Sequence, residues 1–232
     1  HVSEAMERLD QVVDHRIGKP GVNADPERLV HDEVGVGQVA DAAVRHALVG
    51  GLAEEVASED LAGADLTLGH VSARGPDGDI WIKRKGIALN EVEPGDVVAL
   101  DDTTAVLHLE TVLHTGVYRA RPDIGSVVHG HPPYATALAT LKDPAMKPID
   151  NNTARFFGAL GVDTSFGGIA DEAEEGERLA RSLGNHKTLL MGNHGVTCTG
   201  DSVAEAFEDL YFFERAAKTL MLAYASGQPI NV

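Results

Sequence analysis

The run Val127-Val128-His129-Gly130-His131-Pro132-Pro133 starts apolar, is short, and is closed by two prolines. Few folds accommodate such a segment. β-Branched residues favour an extended approach, strand side chains alternate between faces, and proline cannot continue a ladder. A strand is therefore predicted over 125–131, with His129 and His131 pointing the same way at its end. A second short apolar run, Thr188-Leu189-Leu190-Met191, feeds Asn193-His194-Gly195, where Gly195 is expected to let the backbone turn sharply. Three imidazoles at the ends of two neighbouring strands suit a divalent transition metal with open positions for a substrate. A His-x-His pair alone also suits two ordinary strand histidines, so the rest of the chain must decide.

Read along the chain, helical and extended patterns alternate. Residues 3–17 form an amphipathic pattern with Ser3 as a cap, and 18–26 are rich in turn residues. This predicts an N-terminal helical appendage, 1–26, ahead of one compact domain, 27–232. Helical spacing recurs over 36–56. The alternation Leu66, Leu68, Val71 marks a strand over 65–74, and Gly75-Pro76-Asp77-Gly78 turns it into Ile80-Trp81-Ile82. The basic run Lys83-Arg84-Lys85 follows, then a turn at 93–96 and a strand over 97–100. A helix over 107–120 would carry Glu110, His114 and Tyr118 near one face. Further helices are expected over 133–141, 151–160, 171–183 and 202–224, with 161–169 a loop or short strand. No internal repeat is evident. Alternating strands and helices at this length make the chain a single α/β domain.

Charge and cysteine usage narrow the function. Asp and Glu number 36 against 19 Lys and Arg, a formal charge of −17 over 232 residues. Nucleic acid or an anionic membrane would need a basic footprint, so neither is expected as a partner. One cysteine, Cys198, excludes an intrachain disulfide and suits a reducing cytoplasm. No run of about eighteen apolar residues suggests a membrane span, and no basic-plus-apolar leader is evident.

Four ordered stretches carry a family resemblance: Gly69-His70-Val71-Ser72; Glu110-x-x-x-His114-x-x-x-Tyr118-Arg119-Ala120-Arg121-Pro122-Asp123; the histidine-pair run continued to Leu138; and Asn193-His194-Gly195. In that order they resemble the class II aldolase/adducin family, over about 36–227. The resemblance implies a central, mostly antiparallel sheet flanked by helices in three α/β/α layers. It implies that His129, His131 and His194 ligate one divalent metal, zinc or manganese foremost, iron or cobalt otherwise. It makes Glu110 the acidic residue that ligates or acts as general acid/base. It also implies a homotetramer with the active site near a subunit interface.

The departures from the family's sugar-phosphate pattern point to the substrate. Gly69-His70-Val71-Ser72 stands for Gly-Asn-x-Ser, Lys85-Gly86 for a Ser/Thr-Gly phosphate grip, and His108-Leu109 for a Ser-Ser pair. Leucine offers a phosphate no hydrogen bond. The Gly-His-x-Ser version resembles the branch of hydroxypyridine-dicarboxylate and dihydroxyphthalate decarboxylases. The expectation is thus a metal-dependent lyase that decarboxylates a small hydroxylated aromatic or heteroaromatic acid through an enolate-like intermediate. His70, Ser72 and Lys85 are its expected substrate-binding residues. An aldolase or epimerase acting on a ketose phosphate is the second reading, and a non-catalytic adducin-like binding protein the third.

Overall fold

A computed structural model describes residues 68–165 and 171–232, apart from the side chain of Asn90. The expected helices over 3–17 and 36–56, the appendage 1–26, and the first part of the strand over 65–74 lie outside these residues.

Seven strands form one sheet: β1 (His70–Arg74), β2 (Ile80–Lys83), β3 (Val97–Ala99), β4 (Ser126–Gly130), β5 (Leu160–Asp163), β6 (Thr188–Met191) and β7 (Gly195–Gly200). Their spatial order is β3-β2-β1-β4-β7-β6-β5. Every neighbouring pair is antiparallel except β5 with β6. Five α-helices, α1 (Thr111–Ala120), α2 (Pro133–Ala139), α3 (Asn151–Phe156), α4 (Ala173–Leu183) and α5 (Val203–Ala225), and two short 3-10 turns, Leu89–Glu91 and Pro94–Asp96, lie among the described residues. The parallel pair β5 and β6 is joined through α4, as a parallel connection requires a crossover.

The central strands are covered on both faces, which is why they read as unbroken apolar runs. Val71, Val128, Leu190, Val196 and Cys198 face a core shared with Leu138 of α2, Phe156 of α3, and Leu210, Phe213 and Leu220 of α5. On the opposite face Val127, Leu189 and Met191 pack against Leu113, Val117 and Tyr118 of α1 and Leu179, Ala180 and Leu183 of α4. Consecutive Val127 and Val128 thus serve opposite cores, as strand alternation demands. The result is the three-layer α/β/α arrangement.

Several boundaries differ from expectation for identifiable reasons. α1 begins at Thr111 rather than 107, because Lys85 N–H donates to the Val106 carbonyl (2.9 Å) and holds 106 beside the basic run. The segment after Phe156 leaves the helix and becomes β5, pairing with β6. β7 was not anticipated at all, although Val196-Thr197-Cys198-Thr199 has the β-branched content of a strand. It separates β4 from β6, so the third histidine's strand is not β4's neighbour; His194 reaches the site from the turn between β6 and β7. In that turn Asn193 takes the left-handed conformation (φ 54°), so Gly195 is not the residue that makes the bend.

Side-chain acceptors cap two of these helices, one locally and one at long range. Ser202 accepts from the Glu205 N–H at 3.2 Å to start α5. The start of α2, two residues after His131, is held by Glu214 of α5, a buried carboxylate that accepts from Tyr134 N–H (2.9 Å) and Ala135 N–H (2.7 Å). Negative charge at a helix N-terminus is favourable, and here it also anchors the segment that carries His131.

Candidate metal centre

Strand register assembles the site. His70 on β1 lies directly opposite His129 on β4, which in turn pairs with Thr197 on β7. His70, Ser72 and His129 project onto the α1 face of the sheet, where Glu110 sits at the start of the helix. His131 follows the last residue of β4, and His194 comes in from the β6–β7 turn.

One ligand atom each from Glu110, His129, His131 and His194 can be chosen so that all lie within 4.8 Å of one another. His129 Nε2 is 3.2 Å from His131 Nε2. His194 Nε2 is 3.0 Å from Glu110 Oε1, and His129 Nε2 is 3.6 Å from Glu110 Oε2. Donors about 2.0–2.1 Å from a shared tetrahedral ion would be roughly 3.3–3.4 Å apart, so these separations are those of a coordination shell. Three imidazoles and a carboxylate form a set that zinc, manganese, iron or cobalt accepts.

The second nitrogen of His129 supports the same reading. The Thr197 hydroxyl directs its proton to Met191 Sδ (3.3 Å), so it accepts from His129 Nδ1–H at 3.0 Å. That fixes the ring with Nε2 bare and turned toward the cluster, the usual outer-shell arrangement of a ligating histidine. Thr197 and Glu214 were not singled out from sequence; only the fold brings them to the ligands.

Electrostatics favour a cation at this candidate site. Burial alone would push the Glu110 carboxyl up, but hydrogen bonds from His194 and His70, with His129 beside it, hold it well below the usual carboxylate range. His129 is kept neutral by burial first and by neighbouring histidines second. An ionised carboxylate beside the neutral His129 imidazole is a protonation state that suits a metal. Glu110 and His194 retain 14% and 13% side-chain exposure, so the cluster opens on one side.

The expected substrate residues are placed unequally. His70 is buried, its ring centroid 4.9 Å from that of His129, with Nε2 3.3 Å from Glu110 Oε2. Ser72 is fully buried, its hydroxyl engaged by His114 and Tyr118, so it stands behind His70 rather than facing the open side. Lys85 is exposed on a turn. Lys83, its neighbour in the basic run, is almost wholly buried; its ammonium donates to the Ile87 carbonyl at 2.6 Å. Burial, partly opposed by Asp96, brings the Lys83 pKa down to about 8. His108 lies 4.9 Å from His70, and its Nε2 has no hydrogen-bond partner among the described residues. Burial, then the charges of its neighbours, lowers its pKa to about 3.

Comparison with known proteins agrees with this architecture. Residues 54–221 match the family model described as the class II aldolase and adducin N-terminal domain. Over 164 residues the chain is 26% identical to decarboxylase NovR of Streptomyces niveus, covering 66% of this chain and 59% of NovR. It is 28% identical over 157 residues to human β-adducin, covering 63% of this chain and 21% of that protein. The chain thus spans under two thirds of either relative. Among solved structures, an aldolase II superfamily protein from Pseudomonas syringae superposes with a TM-score of 0.72 at 26% identity, over 81% of this chain and 78% of that one. L-fuculose 1-phosphate aldolase from Glaciozyma antarctica PI12 shares the fold, with a TM-score of 0.68 at 21% identity over 92% and 82%.

Proposed function

The chain belongs to the class II aldolase and adducin family, and on that premise we propose that it is a divalent-metal-dependent carbon–carbon lyase that decarboxylates a small hydroxylated aromatic or heteroaromatic acid. The carrying observation is the convergence of Glu110, His129, His131 and His194 at the spacings of a coordination shell. A bound dication would take two substrate oxygens and supply the Lewis acidity that accommodates the electron pair left by bond cleavage.

The chain's own groups supply the rest. Glu110, ionised and partly exposed, would leave the cluster when substrate arrives, take the proton of the substrate hydroxyl and return it to the ring carbon that loses CO₂. His70 faces Glu110 and meets a substrate oxygen in its place. The Lys85 ammonium, on the exposed turn, is suited to a second carboxylate at the mouth. Ser72 acts from behind His70 and not on the substrate itself. This assignment treats 27–232 as the catalytic domain and 1–26 as an appendage.

Decarboxylation is favoured over aldol cleavage of a ketose phosphate by the residues ahead of Glu110. Leu109 is 56% exposed there and gives a phosphate no hydrogen bond, while His108 is buried with an uncommitted nitrogen. The resemblance to a protein named as a decarboxylase points the same way. The full set of four donors argues against a purely structural, adducin-like role. Exposed Val106 and Leu109 beside Glu110 support a second copy packing near the site, within a homotetramer. No helix among the described residues is long and apolar enough to cross a membrane, and we propose a cytoplasmic protein.

Metal analysis of the purified chain tests the first step: with no bound or bindable divalent ion, the lyase reading fails. The metal-loaded protein is then given ortho-hydroxy aromatic acids and ketose phosphates while CO₂ and aldehyde are followed. Release of CO₂ from the acids is expected; aldehyde without CO₂ would establish the aldolase reading instead.

A further inference from the structure

The short helix α2 connects two of the four donors. His131 stands two residues before Pro133, where α2 begins, and is joined to it through Pro132, whose ring holds φ at −62°. At the other end the Ala139 carbonyl, among the last of α2 and so without an intrahelical partner, accepts from the Asn193 N–H at 3.1 Å. Asn193 directly precedes His194. The two imidazoles are stacked, with centroids 5.0 Å apart and planes 22° from parallel. A rigid strut of seven residues, about 10 Å long, therefore ties the His131 segment to the His194 turn.

The strut is itself held from α5. α2 has no side-chain cap of its own, because prolines occupy 132 and 133. Its first free donors are the N–H groups of Tyr134 and Ala135, and the Glu214 carboxylate takes both, one on each oxygen, at 2.9 and 2.7 Å. Glu214 is 1% exposed, so water cannot readily replace it. One turn further along α5 the Lys218 ammonium lies 5.5 Å from the centre of the Tyr134 ring. Ala135 and Leu138 press α2 into the core shared with α5, but apolar contact is non-directional and leaves the helix free to slide along its axis. The paired charge-assisted hydrogen bonds remove that freedom.

The other two donors are held elsewhere, His129 by β4 and Glu110 at the start of α1. Any slip of α2 thus moves His131 and His194 together against His129 and Glu110. We propose that Glu214 is a positioning residue for the metal centre, setting this pair of imidazoles through α2. The proposal rests on the reading of the cluster as a metal centre and adds a residue of the C-terminal helix to its support.

The test is a cobalt(II) titration of the chelator-stripped full chain, following affinity by chelator competition and ligand geometry by the visible absorption bands. Glu214→Gln keeps the side chain's length but turns an amide N–H₂ toward one of the two backbone donors. It is expected to raise the cobalt Kd about 10–100-fold, the usual effect of losing an outer-shell partner, and to shift the bands. Glu214→Asp, one methylene shorter, cannot hold both N–H groups with α2 in place; it should act in the same sense and serves if the first variant does not fold. Phe213→Leu is the control, since it loosens α5 against Phe156 of α3, whose ring lies 5.1 Å from that of Phe213. It should lower Tm yet leave the cobalt Kd within about twofold, the precision at which an uncoupled site is judged unchanged, with the bands unmoved. Wild-type affinity and spectrum in a folded Glu214 variant, or an equal loss in Phe213→Leu, would overturn the proposal while the metal centre stands. A wild type that takes up no cobalt would instead remove the metal reading, and this proposal with it.

Discussion

A Cβ on Gly195 would stand 2.7 Å from Cδ2 of His131 and 2.5 Å from the Gly130 carbonyl oxygen. Gly195 begins β7, the strand beside β4, so the glycine is what allows the His131 ring to lie over its neighbour's backbone. Gly195→Ala must displace His131 or the end of β4, a cost of about 1–3 kcal/mol in a packed setting. The expected outcome is at least a roughly tenfold loss of metal affinity, one kcal-scale step in binding, read by chelator competition. Gly95→Ala, where a Cβ meets nothing within 4 Å, should leave affinity unchanged.

Metal binding should be visible in stability. A ligand that binds only the folded chain adds about 2.7 kcal/mol at a hundred times its Kd. For a domain of this size that is a rise in Tm of roughly 5–10 °C. Scanning calorimetry of chelator-stripped protein, with and without added zinc, checks it. The gain should shrink sharply in His194→Ala, which removes one of the four donors.

Glu110→Gln separates holding the metal from using it. Gln keeps the shape, and the three imidazoles remain, so bound metal should persist. Turnover should fall by about 10²–10⁴, the usual contribution of a positioned acid or base. Near-normal turnover by a metal-loaded Glu110→Gln protein would remove Glu110 from the proton-transfer role.

Much of this was legible in the sequence, and its limits have physical causes. The period-two histidines, the strand before them and the Glu110/His114/Tyr118 face follow from local rules of strand and helix geometry. β7 escaped notice because the glycines around its β-branched core read as turn. Thr197 and Glu214 could not be assigned, since one acts across a strand pair and the other from a helix about eighty residues further along the chain. Ser72 was read as facing substrate because spacing shows which face a strand residue takes but not how deep it lies. The same holds for Lys83, whose burial within a run of charges no local pattern reveals.

Lys83 should leave a signature in the pH dependence of stability. Its pKa is about 8 in the folded chain against 10.5 for the ordinary side chain. Between these values the unfolded chain binds the extra proton, so stability rises with pH through this window; below about 8 both states are protonated and the cost is constant. The rise is on the order of 3 kcal/mol. Cys198 and Tyr118, whose pKa values burial raises, act in the opposite sense at higher pH. The difference between wild type and Lys83→Met therefore isolates the lysine: denaturant unfolding should show the two stabilities diverging, in favour of wild type, as pH rises from 8.

The packing of α1 on α4 sets where Glu110 and His114 stand. A Cβ on Gly116 would lie 2.3 Å from the Gly176 carbonyl oxygen, and one on Gly176 would lie 2.2 Å from the Val112 oxygen. Both obstacles are backbone, so neither helix yields by a side-chain rotation. An exposed helical Gly→Ala change would gain about 1 kcal/mol from propensity, but overpacking here costs about 1–3 kcal/mol and should prevail. Because α1 cannot accept the methyl without shifting along the sheet, the shift is carried to Glu110 at its start and to His114 one turn in. Gly116→Ala is therefore expected to lower Tm and metal affinity together, whereas Arg119→Ala, on the exposed side of the same helix, should change stability by no more than about 0.5 kcal/mol. Calorimetry and metal titration on the two variants check this; a stable Gly116→Ala protein with unaltered affinity would show that the helix pair does not position the site.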